Sequence, residues 1–318
     1  MSDPADRTAP LPVTVIGGYL GSGKTTMVNH LLRHADGRKL AVLVNEFGEL
    51  PIDADLIEAE DENLISIAGG CVCCSYGNDL VLAMLDLAKM EPRPDHVLLE
   101  ASGVALPGAI AATVGILPDY ALGGVIVLAD AETVQRRASD RYLGDTIRQQ
   151  LTDADIIVLN RTDLVTEEQH KAVSEWLATG HPHARQVSTS RGRLPSELLL
   201  GFRDGGKALP DPAGPLHGDH HQLVSVAVTP PGPVDARAVA EALTAPELGL
   251  LRAKGMVNDH RDGPTIIQTV GRRAEVVPAQ SDTRPGLVCI ALRHVTGDAG
   301  SLTEKVNRIF SRVTQGVE

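Results

Sequence analysis

Aromatic residues are scarce in this chain of 318 residues, where Phe, Tyr and Trp together make up 3%. Hydrophobic residues nevertheless account for 43% of the sequence, so the core must be built from aliphatic side chains. Long apolar runs are also missing, since no stretch approaches the roughly 20 residues that a membrane-spanning helix needs. The length of the chain predicts two domains rather than one large one.

Basic residues are fewer than acidic ones: the chain has 29 Lys and Arg residues and 41 Asp and Glu residues, which gives a formal net charge of -12. A nucleic-acid partner is therefore not expected, since phosphate backbones are bound by clustered Lys and Arg. Residues 1–10 are polar and carry no apolar segment of a secretory signal. These absences predict a cytoplasmic protein with neither a nucleic-acid nor a membrane partner.

Cysteine is also rare, and three of the four cysteines fall within four residues. Cys71, Cys73 and Cys74 form this cluster, whereas Cys289 stands apart in an apolar run and is predicted to be a core residue. Adjacent and alternate cysteines make a poor disulfide framework. In a cytosolic protein such a cluster indicates metal binding or redox activity.

Short apolar runs alternate with helical patterns over the first part of the chain. This alternation is typical of βαβ units and predicts an α/β fold, doubly wound around a mainly parallel sheet. The predicted strands lie at 13–16, 40–44, 97–100, 125–128 and 156–159. The predicted helices lie at 24–34, 80–90, 131–137, 141–152 and 167–178. Residues 45–77 are expected to be irregular, with one short apolar stretch at 64–67.

Composition changes near residue 201, where glycine, proline and histidine become frequent. We expect a first domain at 1–204, a linker at 205–222 and a second, smaller α+β domain at 223–318. In the second domain, strands are predicted at 223–228, 265–270 and 287–292, and helices at 234–243 and 302–313. The linker residues His217, His220 and His221 are read as solvated side chains, with a weak metal-entry role left open.

A complete phosphate-binding loop, Gly18-Tyr19-Leu20-Gly21-Ser22-Gly23-Lys24-Thr25, follows the first predicted strand. Its glycines let backbone N–H groups turn toward phosphate oxygens, and the following helix adds the positive end of its dipole. Lys24 is predicted to reach the β- and γ-phosphates and to act in catalysis, whereas Thr25 is predicted to ligate Mg²⁺. The whole loop, with Thr26 beside it, is predicted to bind the nucleotide.

Two further segments support a nucleotide hydrolase. Glu100 ends an apolar strand and Gly103 follows three residues later, so the acid can hold a Mg²⁺-bound water while the glycine senses the γ-phosphate. Asn160-Arg161-Thr162-Asp163 follows the strand at 156–159, and the Asp163 carboxylate can accept two hydrogen bonds from guanine N1–H and N2–H₂. Adenine offers no such pair of donors, so the combination predicts GTP rather than ATP.

The cysteine cluster is flanked by Gly69-Gly70 and by Ser75-Tyr76-Gly77, whose freedom lets several sulfurs converge. Thiolates are soft, strong ligands for Zn²⁺, Co²⁺ or Cu(I). Three cysteines leave a tetrahedral site one ligand short, which a carboxylate such as Glu49, a water or a group from a client protein could complete. An open position suits delivery of a metal better than storage. A redox role and burial as small hydrophobic side chains are the alternatives.

These motifs together resemble those of the CobW-like P-loop GTPases, a group of proposed metallochaperones related to the nickel-insertion GTPases of urease and hydrogenase maturation. The likeness covers nearly the whole chain. Its specific parts are the cysteine motif and Asn45-Glu46-Phe47-Gly48-Glu49, and it includes Leu251-Arg252-Ala253-Lys254-Gly255 in the second domain. Arg161 stands where Lys is usual in the guanine motif, yet its aliphatic stem can still pack on the base.

The resemblance implies GTP hydrolysis coupled to binding and release of Zn²⁺ or Co²⁺. In that interpretation residues 45–74 form a switch segment that the γ-phosphate and Mg²⁺ order. Glu46 is assigned to catalysis and Glu49 to the metal site, although the sequence does not separate these two roles. The implied cofactors are GTP, Mg²⁺ and Zn²⁺ or Co²⁺, with Thr25 and Glu100 at the Mg²⁺.

The leading hypothesis is a cytoplasmic GTPase metallochaperone that binds Zn²⁺ or Co²⁺ through its Cys-x-Cys-Cys motif and delivers the metal to a client protein. Homodimer formation is left open. One alternative is an ATP-dependent small-molecule kinase in which Lys24 holds the transferred phosphoryl group. The other is a non-enzymatic metal sensor or buffer with a vestigial nucleotide site. Nucleotide competition discriminates the first alternative, and hydrolysis assays with and without metal discriminate the second.

Overall fold

The computed structural model describes residues 9–35, 37–45, 64–69, 78–201, 222–279 and 285–315. The chain divides into two compact units, with the division between Arg193 and Leu194. Each unit has its own sheet and its own aliphatic core. Of the predicted linker at 205–222, all but its last residue lies outside the described residues, so the predicted domain limits stay a prediction.

The first unit alternates strands and helices along the chain. Its strands are β1 (Leu11–Gly17), β2 (Leu40–Asn45), β3 (Leu64–Gly69), β4 (His96–Glu100), β5 (Tyr120–Asp130), β6 (Ile156–Asn160) and β7 (Arg185–Ser188). Its helices are α1 (Lys24–Arg33), α2 (Asn78–Ala88), α3 (Pro107–Gly115), α4 (Val134–Ala138), α5 (Gly144–Asp153) and α6 (Glu167–Gly180).

These strands form one parallel, seven-stranded sheet in the order β3-β2-β4-β1-β5-β6-β7. From the central strand β1 the chain builds first one half of the sheet, with β2 to β4, and then the other half, with β5 to β7. The loop after β1 therefore lies at the point where the winding direction reverses, which is where open α/β sheets bind ligands. The predicted doubly wound α/β fold is confirmed.

Helices cover both faces of this sheet, so its central strands are buried on both sides and their sequences are mostly apolar. Val13 and Val15 of β1 belong to an aliphatic cluster that includes buried residues of α2, α3, α5 and α6. On α1, which packs against β4, Met27, Val28 and Leu31 are buried. Because each fully buried aliphatic side chain contributes about 1.5–3 kcal/mol, numerous Val, Leu and Ile residues compensate for the missing aromatics.

Three elements of the first unit were not predicted, and one expectation was wrong. Residues 64–69 are not an irregular segment with an apolar stretch, because they form β3, which pairs with β2 at the edge of the sheet. β7 has no apolar run of its own and is recognisable only by its pairing with β6. α3 begins with Pro107, a residue favoured at the first helical position.

The second unit is a small α+β fold built on an antiparallel sheet of order β11-β10-β9-β12-β8. Its strands are β8 (Leu223–Val228), β9 (Leu250–Asp259), β10 (Gly263–Val270), β11 (Arg273–Pro278) and β12 (Gly286–Leu292). Its helices are α7 (Ser196–Leu200), α8 (Ala236–Leu243), α9 (Arg293–Thr296) and α10 (Ala299–Gln315). Within the described ranges of the chain, no helix has the length and apolar character needed to cross a membrane.

β9 is the main element of the second unit that the sequence did not reveal. It carries the segment Leu251–Gly255 and pairs with both β10 and β12. Arg252 within it is 1% exposed, and its Nη1 donates hydrogen bonds to the carbonyl oxygens of Leu198 at 3.0 Å and Leu199 at 3.4 Å. This buried arginine connects α7 to the sheet of the second unit, to which residues from Leu194 onward belong.

Candidate nucleotide site

The phosphate-binding loop joins β1 to α1, and two of its glycines are required by geometry. Gly18 and Gly23 have φ angles of 131° and 101°, in the left-handed region that other residues rarely adopt. A Cβ on Gly18 would lie 2.4 Å from the carbonyl oxygen of Leu128. One on Gly23 would lie 2.4 Å from Nδ2 of Asn160. The loop is therefore packed closely against β5 and β6, which fixes its path into the N-terminus of α1.

Lys24 and Thr25 begin α1 and meet the ends of the central strands. Lys24 is 8% exposed, and its Nζ donates a hydrogen bond to the carbonyl oxygen of Gly18 at 3.0 Å. Oγ1 of Thr25 donates to Oε1 of Glu100 at 3.1 Å. Glu100 is 3% exposed at the end of β4, in register with Ile16 of β1. The structure thus brings together the lysine, the hydroxyl and the acid that the sequence assigns to one site.

The outer part of the loop is more exposed and is held by a residue that the sequence analysis did not single out. Leu20 is 54% exposed, and Gly21 and Thr26 are also exposed. Arg137 of α4 donates from Nη1 to the carbonyl oxygen of Leu20 at 2.8 Å. Its guanidinium also lies 5.2 Å from the ring centroid of Tyr19, within cation–π range. Arg137 therefore restrains the tip of the loop from the side of β5.

Gly103 lies against the same loop. A Cβ at Gly103 would lie 2.4 Å from Cδ2 and 2.8 Å from the backbone nitrogen of Leu20, so only glycine allows this approach. The Gly103 segment is held from α5 by Gln150, which is 1% exposed. Nε2 of Gln150 donates to the carbonyl oxygens of Gly103 at 3.0 Å and Ala105 at 2.8 Å. Both amide hydrogens of one buried side chain are thus used to fix this segment.

Replacing Gln150 with Leu should lower kcat for GTP up to about 30-fold and change KM less than about threefold, because two buried hydrogen bonds worth about 1 kcal/mol each are lost. The Gly103 backbone would then no longer be held where a terminal phosphate is expected. Steady-state GTP hydrolysis measures the effect. Gln149→Leu is the matched control, since the Gln149 side chain is exposed and donates to the Asp153 carboxylate at 2.7 Å, away from the Gly103 segment. A rise in KM with unchanged kcat would show that Gln150 has no such role.

Asn160 connects three loops at the end of β6. Its side chain is 1% exposed, and Nδ2 donates to the carbonyl oxygen of Ser22 at 2.9 Å while Oδ1 accepts from the backbone N–H of Gly192 at 2.9 Å. Asp163 lies on the 3-10 turn Thr162–Leu164 and is exposed. The buried Asn160 side chain therefore links the phosphate loop to the loop after β7. The Asp163 carboxylate is exposed and accessible to a ligand.

Arg161, between these two residues, has an unusual conformation and an acidic partner. Its φ is 61°, in the left-handed region. Nη1 lies 3.2 Å from Oδ2 of Asp130, the last residue of β5, which is 4% exposed. Asp130 was not predicted to belong to the site. It ends an apolar strand just as Glu100 does, and that signal could have identified it.

The predicted metal ligands Cys71, Cys73, Cys74 and Glu49 lie outside the described residues, as do Glu46 and the linker histidines. In the described part of the chain, no cluster of three His, Cys, Asp or Glu side chains could hold a metal ion. Cys289 of β12 is fully buried, and this burial raises the pKa of its thiol to about 12. The prediction that Cys289 is a core residue is confirmed.

Two family models match this chain, and together they cover most of it. The model described as "CobW/HypB/UreG, nucleotide-binding domain" matches residues 12–188. The model described as "Cobalamin synthesis protein cobW C-terminal domain" matches residues 223–304. The first of these contains the phosphate loop, Glu100 and the Asn160–Asp163 segment. The chain therefore belongs to the CobW/HypB/UreG family, and it is a P-loop GTPase.

Curated relatives agree with this assignment. The zinc chaperone CobW of Sinorhizobium sp. is 31% identical over 83% of this chain and 86% of its own length. The zinc chaperone YjiA of Escherichia coli is 33% identical over 78% of this chain and 82% of its own length. A crystal structure of a Zn(II)-bound triple mutant of the YjiA GTPase covers 96% of this chain and 99% of its own, at 25% identity and a TM-score of 0.46.

Proposed function

We propose that this protein is a GTP-hydrolysing metallochaperone that binds Zn²⁺ through Cys71, Cys73 and Cys74 and delivers it to a client protein. Two relatives named zinc chaperones favour Zn²⁺ as the cargo, with Co²⁺ as the second candidate. A cytoplasmic location and the lack of nucleic-acid and membrane partners remain predictions from composition. Glu49 is the proposed fourth ligand, and Glu46 the proposed residue that orients the attacking water.

The observation that carries this proposal is the register of four neighbouring strands. Ile16 of β1 is paired with Glu100 of β4, Glu100 with Val44 of β2, and Val44 with Ala68 of β3. Because adjacent strands are about 4.8 Å apart, the backbone of Ala68 lies about 10 Å from that of Glu100. Cys71 follows Ala68 by three residues in the sequence. β3, the strand before the cysteine motif, therefore ends on the same side of the sheet as the nucleotide site, at the carboxyl ends of the parallel strands.

The described side chains suit Mg²⁺-assisted phosphate binding. Thr25 and Glu100 supply two neighbouring oxygen donors, the ligand type that Mg²⁺ prefers, and would hold the ion together with phosphate oxygens. The bound ion would neutralise charge on the phosphates. Lys24 would donate to the β- and γ-phosphates in place of its bond to Gly18. The backbone N–H groups at the start of α1 would bind the remaining phosphate oxygens.

Base selection in this proposal depends on Asp163. Its exposed carboxylate would accept two hydrogen bonds from guanine, while Asn160 keeps the surrounding loops in contact with the phosphate loop. The Gly103 segment would sense the terminal phosphate, because it touches Leu20 of the phosphate loop. Segment 45–74 begins at the end of β2, includes β3 and ends with the cysteine motif, so an ordering effect of GTP on this segment would act on the metal ligands.

Replacing Cys73 or Cys74 with Ser should weaken Zn²⁺ binding roughly 100-fold and GTP binding less than about threefold. A structural zinc site is worth about 10–16 kcal/mol over four ligands, so each ligand contributes about 3 kcal/mol. Zn²⁺ affinity is measured by competition with a chromophoric chelator, and GTP affinity by competition with a fluorescent GDP. Cys289→Ala is the matched control and should leave Zn²⁺ affinity unchanged.

The same assay tests the coupling between the two sites. Zn²⁺ should bind more tightly with a non-hydrolysable GTP analogue present than with GDP. Equal Zn²⁺ affinity with both nucleotides would refute the switch, even if both sites exist. A complete lack of GTP hydrolysis, with Zn²⁺, with Co²⁺ and without metal, would instead favour the metal sensor or buffer. Unchanged Zn²⁺ affinity in both cysteine variants would remove the metal site from this motif.

A further inference from the structure

The buried carboxylate of Asp130 forms an ion pair with the partly exposed guanidinium of Arg161, the second residue of the guanine motif Asn160–Asp163. This carboxylate is 4% exposed at the end of β5, and Oδ2 lies 3.2 Å from Nη1 of Arg161. The second oxygen, Oδ1, accepts from the backbone N–H of Glu132 at 3.0 Å. The two strand ends are also in register, since Asp130 pairs with Asn160 and the N–H of Ala131 donates to the Asn160 carbonyl oxygen at 2.9 Å.

Arg161 has a backbone conformation that a long side chain does not favour. Its φ of 61° and ψ of 35° lie in the left-handed region, which Gly adopts freely and Asn tolerates. This conformation turns the chain from the buried Asn160 into the 3-10 turn that carries Asp163. This backbone conformation is unfavourable for an arginine, and the ion pair with Asp130 is an interaction that can stabilise it.

We propose that Asp130 is a positioning residue for guanine recognition. By holding Arg161 it keeps the left-handed turn, and through that turn it keeps the Asp163 carboxylate in line with guanine N1–H and N2–H₂. The inference rests on the proposed GTP site and adds a residue outside the motif that determines base selectivity. The stem of Arg161 would pack on any purine and so affect all purine nucleotides alike, whereas the orientation of Asp163 would affect guanine above all.

Inosine diphosphate separates these two effects, because hypoxanthine keeps N1–H but lacks the 2-amino group that guanine has. A correctly oriented Asp163 therefore binds GDP more tightly than IDP. If the turn relaxes, the second hydrogen bond to guanine is lost and the ratio of GDP affinity to IDP affinity falls toward one. General destabilisation of the protein would weaken both nucleotides equally and leave this ratio unchanged.

The test uses the full chain and competition of GDP, IDP and ADP against a fluorescent GDP. Asp130→Asn keeps the size and the Oδ1 acceptor but removes the charge, and it should lower the GDP/IDP affinity ratio about tenfold. Asp145→Asn is the matched control, since Asp145 forms an exposed pair with Arg148 at 2.7 Å on α5. This control should keep the ratio of the unmodified protein.

Two variants of Arg161 test the proposed route even if Asp130→Asn fails to fold. Arg161→Met keeps the stem but loses the ion pair and is unfavourable in the left-handed region, so the GDP/IDP ratio should fall. Arg161→Asn tolerates that region without a partner, so GDP and IDP should weaken together and the ratio should hold. An unchanged ratio in both Asp130→Asn and Arg161→Met, or an equal fall in Arg161→Met and Arg161→Asn, would overturn the inference.

The unmodified protein provides the remaining comparison. If it binds ADP as tightly as GDP, the proposed guanine site itself is wrong. If it prefers GDP and the variants keep the full preference, the guanine site stands and only the role of Asp130 is refuted.

Discussion

Replacing Lys24 with Ala should reduce GTP hydrolysis roughly 100- to 1,000-fold, the usual loss when one charge-stabilising donor is removed from a phosphate or oxyanion site. Lys24 is 8% exposed at the start of α1, and its Nζ donates a hydrogen bond to the carbonyl oxygen of Gly18 in the phosphate-binding loop. Single-turnover hydrolysis with saturating GTP and Mg²⁺ measures the loss.

Lys171→Ala is the matched control for this variant. Lys171 is exposed on α6 and faces Glu175 at 4.0 Å, so its removal should change neither hydrolysis nor GTP affinity. The melting temperature of each variant shows whether the fold is retained. Hydrolysis by Lys24→Ala within about threefold of the unmodified rate would exclude a phosphate-binding role for this loop, since loss of the donor is expected to cost much more.

Replacing Arg252 with Met should lower the free energy of unfolding of the second unit by about 3 kcal/mol, because hydrogen bonds to charged groups contribute about 1.5–3 kcal/mol each. Arg252 is 1% exposed and donates to the carbonyl oxygens of Leu198 and Leu199. Met keeps most of the stem but leaves these carbonyl oxygens without their buried donor. For a unit of this size the melting temperature should fall by about 10 °C.

Two probes locate this effect in the chain. Trp176 is the single Trp and lies in the first unit, beside His181, so its fluorescence follows that unit. Far-UV circular dichroism follows both units, so it should show unfolding of the second unit at a lower temperature, which the fluorescence of Trp176 does not report. Arg272→Met, at an exposed position, is the control. Equal melting temperatures for the two variants would mean that the buried arginine does not stabilise the second unit.

Strands with strong apolar runs were predictable, and those that depend on their neighbours were not. β1, β4 and β6 are buried on both faces, so most of their residues are apolar and carry a local signal. β7 and β9 contain charged residues, and they are strands because β7 pairs with β6 and β9 pairs with β10 and β12. Pairing between residues far apart in sequence leaves no local pattern, which is why these strands were missed.

The residues of the site also fall into two groups, those that a local motif predicts and those that only tertiary contacts reveal. Lys24, Thr25 and Glu100 were predicted because each belongs to a contiguous motif with a known chemical role. Gln150, Arg137 and Asp130 come from α5, α4 and the end of β5, and nothing in their local sequence marks Gln150 or Arg137 as site residues. Their contribution is to hold a motif in position, and that depends on which elements the sheet order makes neighbours.

The sequence by itself determined the class of chemistry, because a glycine loop ending in Lys-Thr, an acid at a strand end and the Asn160–Asp163 segment each carry a local chemical requirement. It also determined the doubly wound fold, through the alternation of apolar runs and helices. Only the tertiary structure decided which side chains support those motifs. The pairing of Asp130 with Arg161 and of Gln150 with Gly103 joins residues about 30 to 50 positions apart, and such contacts arise from strand order and packing rather than from any local pattern.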